Sequence, residues 1–174
     1  SAASDVYKRQ GVTTMFTDRG IDTGDMLLRA ETPILPDDTA GTLTDRLAKM
    51  GAELLIETLR RLEAGDCPRE KQDEALATYD PKVDKEMGRL DFTQTTRECV
   101  NRVRAMSPWP CAFVPLAEGA LKVWSAVAFN GASGVPGTVL RADKRDGLVV
   151  ARQKPHPHGH GWSLVNNVDK WYWE

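Results

Sequence analysis

The chain has 174 residues, of which 41% are hydrophobic and 28% charged, a composition typical of a globular protein with one domain or two small ones. No segment approaches the roughly 18 apolar residues of a membrane span, and the N-terminus lacks the apolar core of a secretory signal. Three cysteines without CxxC spacing argue against a disulfide framework and a cysteine zinc site, so a cytoplasmic protein is expected.

Charge is unevenly distributed along the chain, although the net charge is only −2. Residues 18–80 contain 15 acidic and 8 basic side chains, whereas residues 82–154 contain 7 acidic and 12 basic ones. The two halves therefore carry net charges of −7 and +5 and are predicted to be separate modules. A modestly basic second half permits a polyanionic partner such as RNA.

The two ends differ from the middle. The stretch SAASDVYKRQ (1–10) shows no periodicity that continues into residue 11 and beyond, and it is interpreted as a non-native leader. The tail over 154–174 contains all three histidines and three of the five tryptophans, an abrupt shift that favours a frameshifted or chimeric end. Its HPHGH run is compatible with a zinc or nickel site, but an isolated tail lacks the supporting fold, so no metal is predicted.

Two strands and a long helix are predicted in the first half. The runs VTTMFT (12–17) and MLLRAETPI (26–34) are typical of strands. A helix is predicted over 42–64, with Thr42 as its N-cap, Gly65 just past its end and a leucine-rich stripe that must pack on another element. Residues 65–82 are polar, contain two prolines and are predicted to be a linker.

A shorter helix and four strands are predicted in the second half. Thr95 and Glu98 have the spacing of a capping box, which places a helix over 95–106, and Pro108 stops it. The runs CAFVPL, LKVWSAVAF, GTVLRA and GLVVARQ are typical of short strands separated by turn residues. Four closely spaced strands predict a small barrel or a curled antiparallel sheet.

The turn between the first two strands, DRGIDTGD (18–25), has two interpretations. Aspartate and glycine are common in any tight turn, since Asp accepts hydrogen bonds from nearby amides and Gly tolerates positive φ. On these residues alone an ordinary hairpin is favoured, with a chemical role for Asp22 or Asp25 as the alternative.

Residues 11–150 resemble the C-terminal half of the methionyl-tRNA formyltransferase family. The resemblance rests on the stretch from GVTTMFTDRGIDTGD onwards (11–59), on TYDPKVDKEMGRLDF (78–92) and on RVRAMSPWPCAFV (102–114), in family order and spacing. It implies an α/β plus β architecture: the C-terminal remnant of a Rossmann-like formyltransferase domain, with a β-hairpin and a long helix, over 11–66. A linker over 67–85 and a small OB-like β-barrel domain over 86–153 complete this architecture.

The resemblance also implies an activity. The family transfers a formyl group from 10-formyltetrahydrofolate to the methionyl amino group of initiator methionyl-tRNA in translation initiation. Asp22 matches the family's catalytic carboxylate, and Gly20 and Gly24 are expected to let the backbone approach a flat pterin. Asp25 is expected to be a turn or strand-entry residue rather than a second acid. The family's asparagine, histidine and SLLP folate loop are missing, so a fragment without turnover is expected.

The second half is expected to contact tRNA. Arg102 and Arg104 are candidate phosphate partners, and Lys122 is a weaker one. Trp109 within SPWP is expected to be buried rather than stacked on a base. The full-length enzyme is expected to be a monomer, whereas this fragment could self-associate through an uncovered part of its leucine stripe. The alternatives are a free-standing, weak RNA-binding module and a non-functional reading-frame product.

Overall fold

The computed structural model describes residues 9–130, 134–143, 147–151 and 162–166. The chain divides into two compact units, Ser1–Pro81 and Lys82–Glu174. Each unit has its own sheet and helix elements.

The first unit contains a hairpin and a helix, as predicted. Strands β1 (Arg9–Met15) and β2 (Met26–Pro33) pair antiparallel, with Val12 opposite Ala30, and helix α1 spans Ala40–Ala64. Residues 9 and 10, which the sequence interpretation assigns to a leader, belong to β1, where Arg9 also forms an ion pair with Glu31 at 3.0 Å.

A bulge in the hairpin is joined to α1 by a chain of hydroxyl groups. The strand register shifts between Thr13 and Met15, and the Thr14 hydroxyl accepts the Leu28 N–H at 3.1 Å. Thr14 Oγ1 also lies 2.8 Å from Thr58 Oγ1, and Thr58, buried in α1, donates to the Leu54 carbonyl at 2.7 Å. Either hydroxyl can donate in this pair. When the one proton of Thr58 is on the Leu54 carbonyl, Thr14 donates to Thr58, and the bonds run in one direction from β2 through β1 to α1.

The N-terminus of α1 lies three residues before the predicted one. Thr39, rather than Thr42, is the N-cap: its side chain accepts the Thr42 N–H, and the Thr42 hydroxyl accepts the Thr39 N–H. Threonine at the third helical position fills the place of the usual Glu or Gln, so the sequence pattern of a capping box is hidden. The predicted end of the helix is confirmed, because Gly65 is the C-cap with φ +74°.

A partly buried ion pair connects the loop after β2 to α1. The Asp38 carboxylate, with 7% of its side chain exposed, accepts both terminal nitrogens of Arg46, at 3.0 and 2.5 Å, and the Leu35 N–H at 2.7 Å. These donors, the Arg46 guanidinium first, hold the pKa of the Asp38 carboxyl below its usual range. Arg46 also donates to the Pro33 carbonyl at 2.9 Å.

The leucine-rich face of α1 is only partly covered. Helix α1 packs on both strands of the hairpin, and its one fully buried residue is Thr58. Leu55 and Leu59 are 51% and 57% exposed, and Ile56 beside them is 52% exposed. The expectation that part of the stripe lies uncovered is confirmed.

The described residues of the second unit form a short 3-10 helix (Glu86–Gly88), an α-helix and six strands. Helix α2 (Thr96–Ala105) begins with the predicted capping box of Thr95 and Glu98. The strands are β3 (Ala112–Leu116), β4 (Gly119–Val123), β5 (Val127–Asn130), β6 (Val139–Asp143), β7 (Gly147–Ala151) and β8 (Trp162–Asn166). Strands β3 and β4 form one antiparallel hairpin, and the others form an antiparallel sheet in the order β5-β8-β7-β6.

This arrangement differs from the predicted barrel. The described residues of the second unit form two separate sheets and no closed barrel, so the OB-like barrel expected over 86–153 is not confirmed. The run LKVWSAVAF forms parts of two strands, because the chain leaves the β3-β4 hairpin at Trp124–Ala126 and enters the other sheet. Strand β8 lies in the tail that the sequence interpretation sets apart, and it occupies an interior position between β5 and β7.

The core of the second unit joins α2 to the β3-β4 hairpin. Cys99 and Val103 on α2 are each 1% exposed and pack with buried residues of the preceding loop and the hairpin. The other buried members are Leu90, Ala112, Val123 and Ala126. The apolar spacing that predicts α2 therefore also identifies its buried face.

Candidate functional site

The candidate catalytic residue Asp22 lies at the tip of the loop between β1 and β2. Its backbone has φ +55°, the left-handed region that non-glycine residues seldom adopt. The side chain is exposed, and within the described residues no hydrogen bond or ion pair engages its carboxylate. The Asp22 carboxylate is thus available to solvent or to a substrate.

Gly24 is required by a close approach within this loop. A Cβ on Gly24 would lie 1.7 Å from the Phe16 carbonyl oxygen, and the Phe16 N–H donates to the Asp25 carbonyl at 3.0 Å. Gly24 is also buried, so its need for glycine is explained by the loop itself. Gly20 is exposed, and the atoms nearest to an added Cβ there belong to the Thr23 side chain.

A segment predicted to be linker lies against this loop. This part of the chain, residues 69–72, is called the 69–72 segment below. In it, the Glu70 backbone pairs with the Met26 backbone through two hydrogen bonds of 2.8 and 2.9 Å. The Gln72 side-chain Nε2 donates to the carbonyl oxygens of Asp22 and Gly24, each at 2.7 Å. The chain after α1 therefore returns to the hairpin and supports the turn that contains Asp22.

The side chain of Asp25, at the end of the loop, is bound by Arg69 of the 69–72 segment. Arg69 Nε donates to Asp25 Oδ2 at 2.5 Å, and the Arg69 guanidinium lies 4.8 Å from the centroid of the Phe16 ring. Asp25 is thereby tied to a structural partner at the start of β2, which fits its expected role as a turn residue. Asp22 and Asp25 thus have different surroundings, since the carboxylate of Asp25 is paired and that of Asp22 is available.

The sequence gives no direct signal for Arg69 and Gln72. Both lie in a polar stretch without apolar period, and Gln72 is 50 residues from Asp22 along the chain. Polar side chains in a polar segment predict exposure, not a contact with a distant turn.

The candidate tRNA-contacting residues of the second unit do not share one face. Arg102 and Arg104 are two residues apart on α2, so they point to different sides of the helix. Arg102 Nη1 donates to the Met87 carbonyl at 2.8 Å, and the exposed Lys122 lies on β4. Arg97, which sequence reasoning missed, is exposed and lies two turns from Arg104 on the same side of α2.

Trp109 was expected to be buried, and this prediction is wrong. Trp109 is 62% exposed. The SPWP segment does follow the end of α2, as predicted. The Ser107–Pro108 and Trp109–Pro110 peptide bonds are both cis. The residue that lies in the interior is the neighbouring Cys111, with φ +72° and 4% exposure, not Trp109.

The described residues contain neither a metal-ligand cluster nor a membrane-spanning helix. Among the described residues, no three His, Cys, Asp or Glu side chains are grouped as metal ligands would be. The histidines of HPHGH lie outside the described residues. No helix in the described part of the chain has the length and apolarity needed to cross a bilayer.

Solved structures show the fold to which the chain is similar. A HypX structure from Aquifex aeolicus in complex with tetrahydrofolic acid is matched with a TM-score of 0.68 at 22% identity, over 90% of this chain and 26% of that one. Methionyl-tRNA formyltransferase from Clostridium thermocellum gives a TM-score of 0.56 at 20% identity, over 69% of this chain and 51% of that one.

Sequence comparison is more specific. The family model for formyl transferase matches residues 2–59, and the model for its C-terminal domain matches residues 82–155. Methionyl-tRNA formyltransferase of Geotalea uraniireducens is 50% identical over 141 residues, which are 81% of this chain and 44% of the relative. The enzyme of the same name from Symbiobacterium thermophilum is 44% identical over 160 residues, which are 91% of this chain and 47% of the relative.

The chain thus spans about half the length of these curated relatives. With formyl transferase models matching residues 2–59 and 82–155, the chain belongs to the formyl transferase family, and it is 44% and 50% identical to two methionyl-tRNA formyltransferases over the matched residues.

Proposed function

We propose that this chain is part of an enzyme that transfers a formyl group from 10-formyltetrahydrofolate to the methionyl amino group of initiator methionyl-tRNA. The observation that carries the proposal is the Asp22 carboxylate, available to a substrate on a loop that the 69–72 segment supports. The family of the relatives supplies the reaction class. Asp22 supplies the catalytic carboxylate.

The chemistry requires a base near the attacking amine. The amino nitrogen forms a bond to the formyl carbon, loses a proton, and displaces the tetrahydrofolate nitrogen, which gains a proton. A positioned carboxylate assists this exchange by orienting and stabilising a partner that becomes positively charged as it takes the proton. No residue between 9 and 151 is a histidine, so we assign to Asp22 the orienting role rather than the whole proton transfer.

The donor's flat ring system is proposed to approach the loop at Gly20. This glycine is exposed, and the atoms nearest to the position of a Cβ belong to the Thr23 side chain, at 2.5–3.2 Å. Gly24, in contrast, is buried, and its free side is filled by backbone, the Phe16 carbonyl. We therefore place Gly20 at the donor-facing surface and Gly24 in the support of the turn.

The second unit is proposed to contribute contacts to tRNA phosphates. Arg104 on α2 and Lys122 on β4 are the candidates for such contacts, and Arg97 extends the side of α2 that contains Arg104. Arg102 is a weaker candidate, because its Nη1 donates to the Met87 carbonyl and its Nε is buried. Such contacts position RNA without reading its sequence.

The test is a chimera with a relative of known name. Residues 11–151 of this chain replace the matching segment of the Geotalea uraniireducens enzyme, to which the chain is 50% identical. We expect the chimera to form formylmethionyl-tRNA and Asp22→Asn to lower kcat by about 100-fold or more, the usual contribution of a positioned acid or base. Asp18→Asn, on an exposed carboxylate of the same loop, is the matched control and should leave kcat nearly unchanged.

Two outcomes would contradict the proposal. Retained turnover in the Asp22→Asn chimera would remove the assigned carboxylate. An inactive chimera that still binds tRNA would instead favour the alternative of an RNA-binding module.

A further inference from the structure

We propose that Gln72 is a positioning residue for Asp22, an assignment that rests on the proposed function. The Gln72 Nε2 atom donates to the carbonyl oxygens of Asp22 and Gly24, both at 2.7 Å. An amide NH₂ group has two hydrogens, so it serves both acceptors at once. The Gln72 side chain thereby fixes the separation of the two carbonyls on either side of Thr23.

Asp22 needs this support because of its backbone conformation. A non-glycine residue at φ +55° is held there only when its surroundings favour that conformation over the more common ones. The carbonyl that Gln72 binds belongs to the residue whose carboxylate we assign to the reaction. Holding this carbonyl restricts the backbone from which the carboxylate projects, and Gln72 itself touches no reacting atom.

Gln72 is in turn held by its neighbours in the 69–72 segment. The Glu70 N–H and carbonyl both form hydrogen bonds with the Met26 backbone. The Glu70 carboxylate accepts a hydrogen bond from Arg29 Nη2 at 2.6 Å. Arg69 is bound to Asp25 at the other edge of the loop. A shift of the segment along the hairpin would break all of these contacts together, so the Gln72 amide is presented from a fixed backbone.

The proposal is tested by NMR on the 174-residue chain with Gln72→Ala. A positive φ brings the amide and α protons of one residue close together, so a strong NOE between them is the signature at Asp22. We expect the variant to lose this signature. The protection of the Phe16 amide, which donates to the Asp25 carbonyl across the loop, should fall about tenfold, the effect of losing one or two hydrogen bonds.

Two further variants test whether the effect depends on the hydrogen-bond donors of Gln72. Gln72→Glu retains the length of the side chain but, when ionised, has acceptors only, so it should lose the Asp22 signature as well. Lys71→Ala, on the exposed neighbour, should change neither readout. An Asp22 signature that survives in both Gln72 variants would overturn the proposal. So would an equal loss of protection through α1, which would make Gln72 a general stabiliser.

The chimera separates this inference from the proposed function. There, Gln72→Ala should lower kcat about tenfold with little change in KM for the formyl donor, because positioning affects the reaction more than binding. Unchanged turnover in Asp22→Asn refutes the proposed function. Unchanged turnover in Gln72→Ala beside an inactive Asp22→Asn refutes the positioning role alone.

Discussion

The hydroxyl chain between the hairpin and α1 predicts an unequal response to two similar substitutions. Thr58→Val removes the Thr14–Thr58 bond, but the Leu54 carbonyl keeps its helical partner and Thr14 can turn its proton to the Leu28 carbonyl at 3.4 Å. The expected loss in free energy of unfolding is about 1 kcal/mol, the net value of one hydrogen bond.

Thr14→Val should cost more, because it also leaves the Leu28 N–H at the bulge without its acceptor. Adding the penalty for a partly buried unpaired donor gives a loss of about 2 kcal/mol. The double variant should also lose about 2 kcal/mol rather than 3, since both substitutions remove the same bond and the coupling between them is about 1 kcal/mol.

Urea unfolding measures these changes with a built-in control. Circular dichroism at 222 nm mainly follows α1, the longer of the two described helices, whereas all five tryptophans lie in the second unit and report on it through fluorescence. The fluorescence transition should not move. Additive losses in the double variant, or a Thr58→Val loss as large as that of Thr14→Val, would refute the directed chain of bonds.

Two further outcomes are expected. Because the folded-state pKa of Asp38 is depressed, its stabilisation of the first unit is complete above the unfolded pKa of roughly 3.9 and is lost as the pH falls below it. Asp38→Asn should therefore flatten the acid limb of a stability-against-pH curve measured by circular dichroism, and Asp37→Asn should not; equal curves would contradict this. For RNA binding, replacing Arg97 and Arg104 by alanine should reduce the log–log salt slope of tRNA affinity in a fluorescence anisotropy titration by about 1.5, at roughly 0.7–0.9 for each phosphate contact. A slope unchanged from that of the parent, or equally reduced by the first-unit control Lys71→Ala, would show that this side of α2 is not the RNA-binding surface.

The elements that the sequence predicts well are those determined by nearby residues. The hairpin, α1 and α2 follow from apolar period and from caps within a few positions, as with Thr95 and Glu98. Thr39 was missed because its partner Thr42 is an unusual capping-box residue, and so Thr42 itself resembled the cap.

The features that the sequence does not predict depend on contacts far apart in the chain. Barrel closure and the strand order of the second unit are set by pairing between distant segments, and no local pattern specifies them. The same holds for Gln72, whose partners lie about 50 residues earlier. Asp22 was identified only through the resemblance, because its residue type and its turn are equally suited to an ordinary hairpin.

The pairing of Met26 with Glu70 has a consequence for chain entropy. It closes a ring of more than 40 residues, which for a flexible chain would cost on the order of 3 kcal/mol beyond the constant term. Once β2 and α1 have formed, however, only the short connections at their ends remain flexible, so most of that entropy has already been lost. The closure therefore becomes favourable only after the helix is ordered, and partial melting of α1 would release the Asp22 turn without altering any residue that touches it.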